Sequence, residues 1–271
     1  ACSTPPAGRA RWTLELLAGA LVKLTEHAEL SRETVRRRLA ENDLKPWRRD
    51  MWCIPQVDGN YVARMEDVIE VYHRPFDERH PVVCIDEVPV QLIGETRTPI
   101  PAQPGRRERY DYEYKRNGTA NLFMVFAPLI GWRHVEVTER RTAKDFGALL
   151  KWVVDEVYEE AEKVVLVTDN LNVHGTGSLY EAFEPAVARR LAEKVEWHFT
   201  PKHGSWLNVA ECEISVLTRQ CLSRRIATMA ELKRQVYAWQ EARNERLVEV
   251  NWQFTTAEAR IKLRRMYPSS R

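Results

Sequence analysis

Two runs of β-branched and apolar residues stop at an aspartate, and they constrain the fold more than any other feature of the chain. They are Val82-Val83-Cys84-Ile85-Asp86-Glu87 and Val164-Val165-Leu166-Val167-Thr168-Asp169-Asn170. Such runs read as strands buried on both faces. An acid at the end of one stands at the rim of a sheet, where ligands of α/β folds bind. The plain alternative for either residue is an aspartate that caps the turn or helix after it. If adjacent parallel strands carry both, two carboxylates face each other, and the two cannot both ionise cheaply unless a cation lies between them. Mg2+ suits that arrangement, because it takes one or two carboxylates and keeps its other positions for water and phosphate.

A later segment supplies a third acid. In His198-Phe199-Thr200-Pro201-Lys202-His203-Gly204-Ser205-Trp206-Leu207-Asn208-Val209-Ala210-Glu211 a strand runs into Pro201, and a Gly-Ser turn then opens a helix. Asn208 and Glu211 share a face of that helix at i, i+3. Glu213 lies about 200° round from Glu211, so the two cannot face one ion. Alone, Glu211 would be an ordinary solvated helix glutamate. Its company of turn, amide and basic residues argues for a site.

The rest of the chain organises around these segments. Residues 1–11 are rich in Pro, Gly and Arg and read as an arm. Helices are expected over 12–24, 31–42 and 61–73. Val35 and Leu39 share one face of the second, and Arg32, Arg36, Arg37 and Arg38 cover the others. This resembles the end of a helix-turn-helix unit with an Arg-rich helix in the recognition position. The stretch Arg74–Pro81 breaks the third helix. Strands then follow at 82–87, 120–127 and 132–138, a helix at 143–159, a strand at 163–169, a helix near 178–193, a strand at 195–200, and helices near 205–222 and 229–246. Gly175-Thr176-Gly177-Ser178 lacks the lysine and spacing of a phosphate loop and reads as a turn. That order predicts an α/β fold, a mixed sheet with helices on both faces. We expect a helix-turn-helix domain at 1–50, a helical linker at 51–81, the main domain at 82–250 and a basic tail at 251–271.

Composition narrows the classes. The net charge is only +2, so the chain is no polycation, yet residues 219–271 carry twelve Lys/Arg against five Asp/Glu. Five cysteines form no CxxC pair, which predicts free thiols in a reducing compartment and no zinc site. The longest apolar stretch, Leu122–Trp132, contains Pro128 and falls short of the roughly 20 residues a membrane helix needs. A soluble, intracellular protein is expected.

The motifs together resemble the DDE transposases of the bacterial IS-six-thirty family, in the Tc/mariner superfamily. The resemblance rests on Cys84-Ile85-Asp86-Glu87, on Thr168-Asp169-Asn170 with His174, and on Pro201-Lys202-His203-Gly204-Ser205-Trp206-Leu207-Asn208-Val209-Ala210-Glu211. The stretches Tyr112–Phe123 and Asn42–Arg48 add to it, so it spans about residues 12 to 250. It implies an RNase H-like catalytic domain with Asp86, Asp169 and Glu211 as catalytic, metal-binding residues. The cofactor would be Mg2+, two ions per site, with Mn2+ able to substitute. It implies cleavage of transposon ends and their joining to target DNA at TA, by a cytoplasmic, nucleoid-associated homodimer acting on double-stranded DNA. The family's first helix-turn-helix module has no counterpart here and is expected to lie outside this sequence. The gap from Asp169 to Glu211 is longer than in the mariner branch, and the excess is expected in the helix near 178–193.

Other residues receive supporting roles. Asn170, His174 and Asn208 are candidates to orient the carboxylates. For His174 the alternative is a loop histidine bonded to backbone. Arg32, Arg36 and Arg37 are expected to touch DNA, as are Arg106, Arg107, Arg109, Lys115, Arg116, Lys202 and His203. Around 105–116 the cations alternate with tyrosines that can stack on unpaired bases. A solvated hairpin is the bland alternative there. Two rivals stand beside the transposase: a structure-specific nuclease of the same fold, and a DNA-binding protein that has lost catalysis.

Overall fold

The computed structural model describes residues 3–9, 11–26, 28–41, 58–171 and 173–267. Its contacts divide the chain into two compact units, 1–54 and 55–271. In the first, helices α1 (Leu14–Leu24) and α2 (Arg32–Glu41) pack through Leu17, Ala18, Val35 and Leu39. Thr13 caps α1 through the Leu16 amide, and Ser31 accepts from the Thr34 amide at the start of α2. The arginines of α2 are left exposed. The segment Asn42–Arg48, Cys2 and Cys53 lie outside the described residues.

The second unit is built on a five-stranded sheet in the order β3-β2-β1-β4-β5. The strands are β1 (Val82–Glu95), β2 (Tyr114–Ala127), β3 (Trp132–Thr138), β4 (Val164–Thr168) and β5 (Val195–Phe199). The first three form an antiparallel meander, while β4 and β5 join in parallel. Alternate residues feed opposite cores, as the pleat requires. Cys84, Leu122, Met124, Val165 and Val167 face one layer, which holds α3 (Gly59–Tyr72), α7 (Val209–Leu217), α8 (Met229–Asn244) and α9 (Thr256–Lys262). Val83, Ile85, Phe123, Val125 and Leu166 face the other, which holds α4 (Ala143–Trp152), α5 (Thr176–Ala182) and α6 (Pro185–Lys194). The described parts of 51–81 and 251–271 contribute α3 and α9, so they share this unit's core.

Several element boundaries differ from the sequence expectation. Strand β1 does not end at Asp86 but runs on to Glu95, still paired with β2 after β4 has stopped. Strand β2 starts at Tyr114, and its first six residues are polar or small and exposed, so they carry no apolar signal. The helix expected near 178–193 is two, broken before Glu184-Pro185, with the proline in the first turn of α6. Gly175–Ser178 is not a free turn: Gly175 caps α5 and Ser178 lies within it. The helix expected at 205–222 is a single 3-10 turn (Ser205–Leu207), α7, and a π turn (Thr218–Leu222), because Asn208 is extended. The helix at 143–159 likewise ends in a π turn, Val153–Val157.

The outer edge of β3 is covered by α8. Gln240 accepts from the Val135 amide at 2.8 Å, and Asn244 both accepts from the Arg133 amide (2.9 Å) and donates to its carbonyl (2.8 Å). Side-chain amides thus stand in for a sixth strand. Among the described residues no helix is long and apolar enough to cross a membrane.

Candidate active site

Parallel pairing aligns Val82 with Val165 and Cys84 with Val167. Continuing that register by two residues brings Asp86 level with Asp169, where the two strands part. Both share the pleat parity of Cys84 and Val167, so both face the layer that contains α7. Strand β1 thus carries its acid in mid-strand and β4 releases its acid at the end.

Glu211 reaches the same place through the start of α7. Asn208 caps that helix: its side chain accepts from the Ala210 amide (3.1 Å) and donates to the Ile85 carbonyl on β1 (3.1 Å). Tyr72 of α3 donates to the Leu207 carbonyl (2.7 Å) and accepts from the Val209 amide (3.3 Å). Before it, the chain turns sharply over Pro201–Gly204, where a Cβ on Gly204 would meet Pro201 Cγ at 2.5 Å. His203 is left-handed there, with φ 64°. Two residues past Glu211, Glu213 is buried on the opposite side, ion-paired to Arg133 (3.0 Å) and Arg243 (2.6 Å). That pairing fixes the roll of α7 and leaves Glu211 exposed at the pocket.

Asp86, Asp169 and Glu211 line one open pocket of about 400 Å³, with Glu87, Ser205 and Asn208. A second hollow of about 370 Å³ shares Asp169 and Ser205 with it and is lined by Asn170, Lys202 and His203. Burial and the nearby charges of Asp169, Glu87 and Glu211 push the Asp86 carboxyl up to about 7. Burial raises Asp169 more than any other single cause, but the hydrogen bond and charge of His174 and the Leu171 amide together outweigh it and leave this carboxyl below its ordinary value. The two aspartates are therefore driven apart. Among the described residues no three His, Cys, Asp or Glu side chains converge into a ready metal cage. The donor set nonetheless suits a hard cation, since the carboxylates of Asp86, Asp169, Glu87 and Glu211 line the pocket together with Ser205 and Asn208.

His174 is buried between two acids. Its Nδ1 lies 2.5 Å from Asp169 Oδ1 and its Nε2 lies 2.8 Å from Glu87 Oε2. Against burial, which lowers it, these two carboxylates raise the imidazole to about 9. Glu87 has the opposite pleat parity to Asp86 yet also reaches the pocket rim, and Phe146 packs on the His174 ring at 4.7 Å. The sequence pattern offered Glu87 only as a neighbour of Asp86. Its role needed the strand parity and the fold of the 169–176 loop.

The expected DNA contacts fall in four places. Arg32, Arg36 and Arg37 are exposed on α2, and Arg36 is paired with Glu33. Arg106, Arg107 and Arg109 are exposed on a loop between β1 and β2, pinned by bridges between Ile100 and Arg109 and between Gln103 and Arg106. Lys115 and Arg116 lie on the exposed start of β2, and only Lys202 and His203 reach the pockets. Sequence reasoning missed Arg225, which it counted only among the basic residues of 219–271. Arg225 bonds Glu95 (2.6 Å) and the carbonyls of Asp111 (2.8 Å) and Glu113 (3.1 Å), and it lies against Tyr110 and Tyr114. It anchors the base of the arginine loop.

Residues 81–233 match the family described as DDE superfamily endonuclease. The chain belongs to that family. Solved structures agree in fold. The Mos1 mariner paired end complex with Mn is 16% identical with a TM-score of 0.51, over 91% of this chain and 76% of that one. The Mos1 paired-end complex with left transposon end is 16% identical at 0.52, over 92% and 75%. The Mos1 Strand Transfer Complex is 15% identical at 0.52, over 97% and 78%. Comparison with curated proteins gave no match. The sheet of this DDE endonuclease, mixed and flanked by helices, is the RNase H-like one that the motifs implied.

Proposed function

We propose that this DDE endonuclease is a transposase that cuts transposon ends and joins them to target DNA. The observation that carries the reading is the meeting of Asp86, Asp169 and Glu211 in one pocket from three elements far apart in sequence. In this reading the three carboxylates hold divalent ions, Mg2+ or Mn2+, two per site. When bound, such ions activate an attacking oxygen and steady the leaving one in an in-line displacement at phosphorus. The Mos1 neighbours, which include complexes with Mn and with Mg, support a divalent ion here.

The chain's own residues do the rest. Asn208 and Tyr72 hold the α7 entrance, so Glu211 meets the aspartates at a fixed depth. Asp86, with its raised carboxyl, is the ligand most relieved by a cation. Asn170, Lys202 and His203 line the adjoining hollow and would receive a DNA phosphate. The loop carrying Arg106, Arg107 and Arg109, with Lys115 and Arg116, would add contacts to double-stranded DNA, and the α2 arginines of the first unit would contact it separately. A second copy of the chain would hold the other transposon end. The motif Pro201–Glu211 favours the IS-six-thirty branch, with insertion at TA.

A strand-transfer assay with oligonucleotide ends bearing 3′-hydroxyls tests this. Joining to TA-containing target in Mg2+ or Mn2+ is expected, and Asp169→Asn is expected to abolish it. Cleavage without joining would leave the structure-specific nuclease instead. Unchanged cleavage by Asp169→Asn would overturn the site.

A further inference from the structure

We propose that Glu87 and His174 are a positioning pair that holds Asp169 so that one oxygen, Oδ2, faces the ion. The inference rests on the site reading above. His174 Nδ1 and the Leu171 amide both donate to Asp169 Oδ1, at 2.5 and 3.1 Å. That oxygen is saturated from the protein side, and Oδ2 is left free of these bonds. The His174 side chain has 0% exposure and Glu87 only 3%, whereas Asp169 keeps 40%. The pair is therefore inside the protein and the ligand at its edge.

The chemistry explains why two acids flank one ring. A neutral imidazole at this depth would donate through one nitrogen and leave its tautomer open. Carboxylates flank both nitrogens: Nδ1 bonds Asp169, and Nε2 lies 2.8 Å from Glu87 Oε2 as a close ion-pair contact without hydrogen-bond geometry, so the ring cannot turn without losing both approaches. Further contacts brace the arrangement. Ser178 donates to the Val173 carbonyl (2.6 Å), tying the loop to α5. Thr168 Oγ lies 3.1 Å from His174 Nδ1, and Arg141 lies 3.6 Å from the far oxygen of Glu87. Glu87 thus acts through His174, from the rim of the same pocket.

The test is Mn2+ affinity of the full chain without DNA, read by electron paramagnetic resonance of free Mn2+. Circular dichroism checks folding of each variant. His174→Ala is expected to weaken binding roughly 10–100-fold, the usual effect of losing a group that orients a ligand. Glu87→Gln, which keeps volume, is expected to weaken it about tenfold. His174→Asn, whose amide can replace Nδ1, is expected to recover much of the loss. Affinity within about twofold of the parent in Glu87→Gln and in folded His174→Ala would overturn the proposal. So would His174→Asn no better than His174→Ala. If His174→Ala does not fold, Glu87→Gln decides. Asp169→Asn separates the two levels: unweakened Mn2+ binding there sinks the site reading itself. Weakened binding there, with unchanged His174 and Glu87 variants, sinks only the positioning pair.

Discussion

Arg133 and Glu213 meet at 3.0 Å with side chains 0% and 5% exposed, two positions along the helix from Glu211. The salt bridge joins β3 to α7, and Arg243 of α8 joins it from the other side. Glu213 and Glu211 therefore have opposite duties on one short helix. Glu213→Gln is expected to destabilise the fold by about 3–5 kcal/mol, the usual cost of leaving a buried charge without its partner. Glu211→Gln is expected to change stability by no more than about 0.5 kcal/mol while removing cleavage. Urea unfolding and a nicking assay on the same two proteins check this, and the reverse pattern would refute it.

The entrance of α7 gives a second expectation. Asn208→Ala removes the helix cap, worth about 1 kcal/mol, and leaves the Ile85 carbonyl unsatisfied. Cleavage should fall further than this modest loss of stability accounts for, since Glu211 loses its depth. Thermal melts and single-turnover cleavage, compared at a temperature where the variant is folded, measure both.

The metal-free protein should depend on pH in a defined direction. Asp86 rises from 3.8 to about 7 in the fold, so the native state binds the extra proton between those values. Its effect is to lower stability as pH rises through that window. The His174 contribution is fully present below 6.5 and is lost as pH rises through about 9. Asp169 acts oppositely at the acid end, where its contribution fades as pH falls below its ordinary 3.8. In chelator, the difference in melting temperature between the parent and Asp86→Asn should therefore shift steadily against the parent from pH 4 to 7. A constant difference across that range would contradict the assignment.

DNA binding should weaken steeply with salt, because cations that neutralise phosphates release counterions. Arg32→Ala and Arg37→Ala, on the exposed faces of α2, should each lower the log–log salt slope by about 0.9 if each meets one phosphate. Arg36→Ala should matter less, since Glu33 already engages its guanidinium at 2.6 Å. Fluorescence anisotropy over a salt series reads the slopes. Unchanged slopes in the first two variants would remove α2 from the interface.

The sequence exposed the parts of this fold that depend on continuous apolar burial. The β1 and β4 runs are legible because Val83, Ile85, Leu166 and their neighbours are buried on both faces of the sheet. Within 88–95 only Leu92 and Gly94 are buried, and 114–119 are exposed, so pairing with each other rather than a continuous apolar run makes them strands. The break of α5 from α6 was written in Glu184-Pro185, a signal present but passed over. The π turns after α4 and α7 leave no mark in hydrophobic spacing. In the site, the three acids could be found because each sits in a distinctive local pattern. Glu87 and Arg225 act through partners remote in sequence, and no local pattern announces them.

The amides of Gln240 and Asn244 along β3 bear on how two copies of this chain can associate. A neighbouring molecule that tried to extend the sheet there would find Val135 N–H and both polar groups of the Arg133 backbone already taken. It would have to evict two helix side chains before gaining a single rung. Any lasting association between copies should therefore avoid the β3 border, which the α8 side chains close.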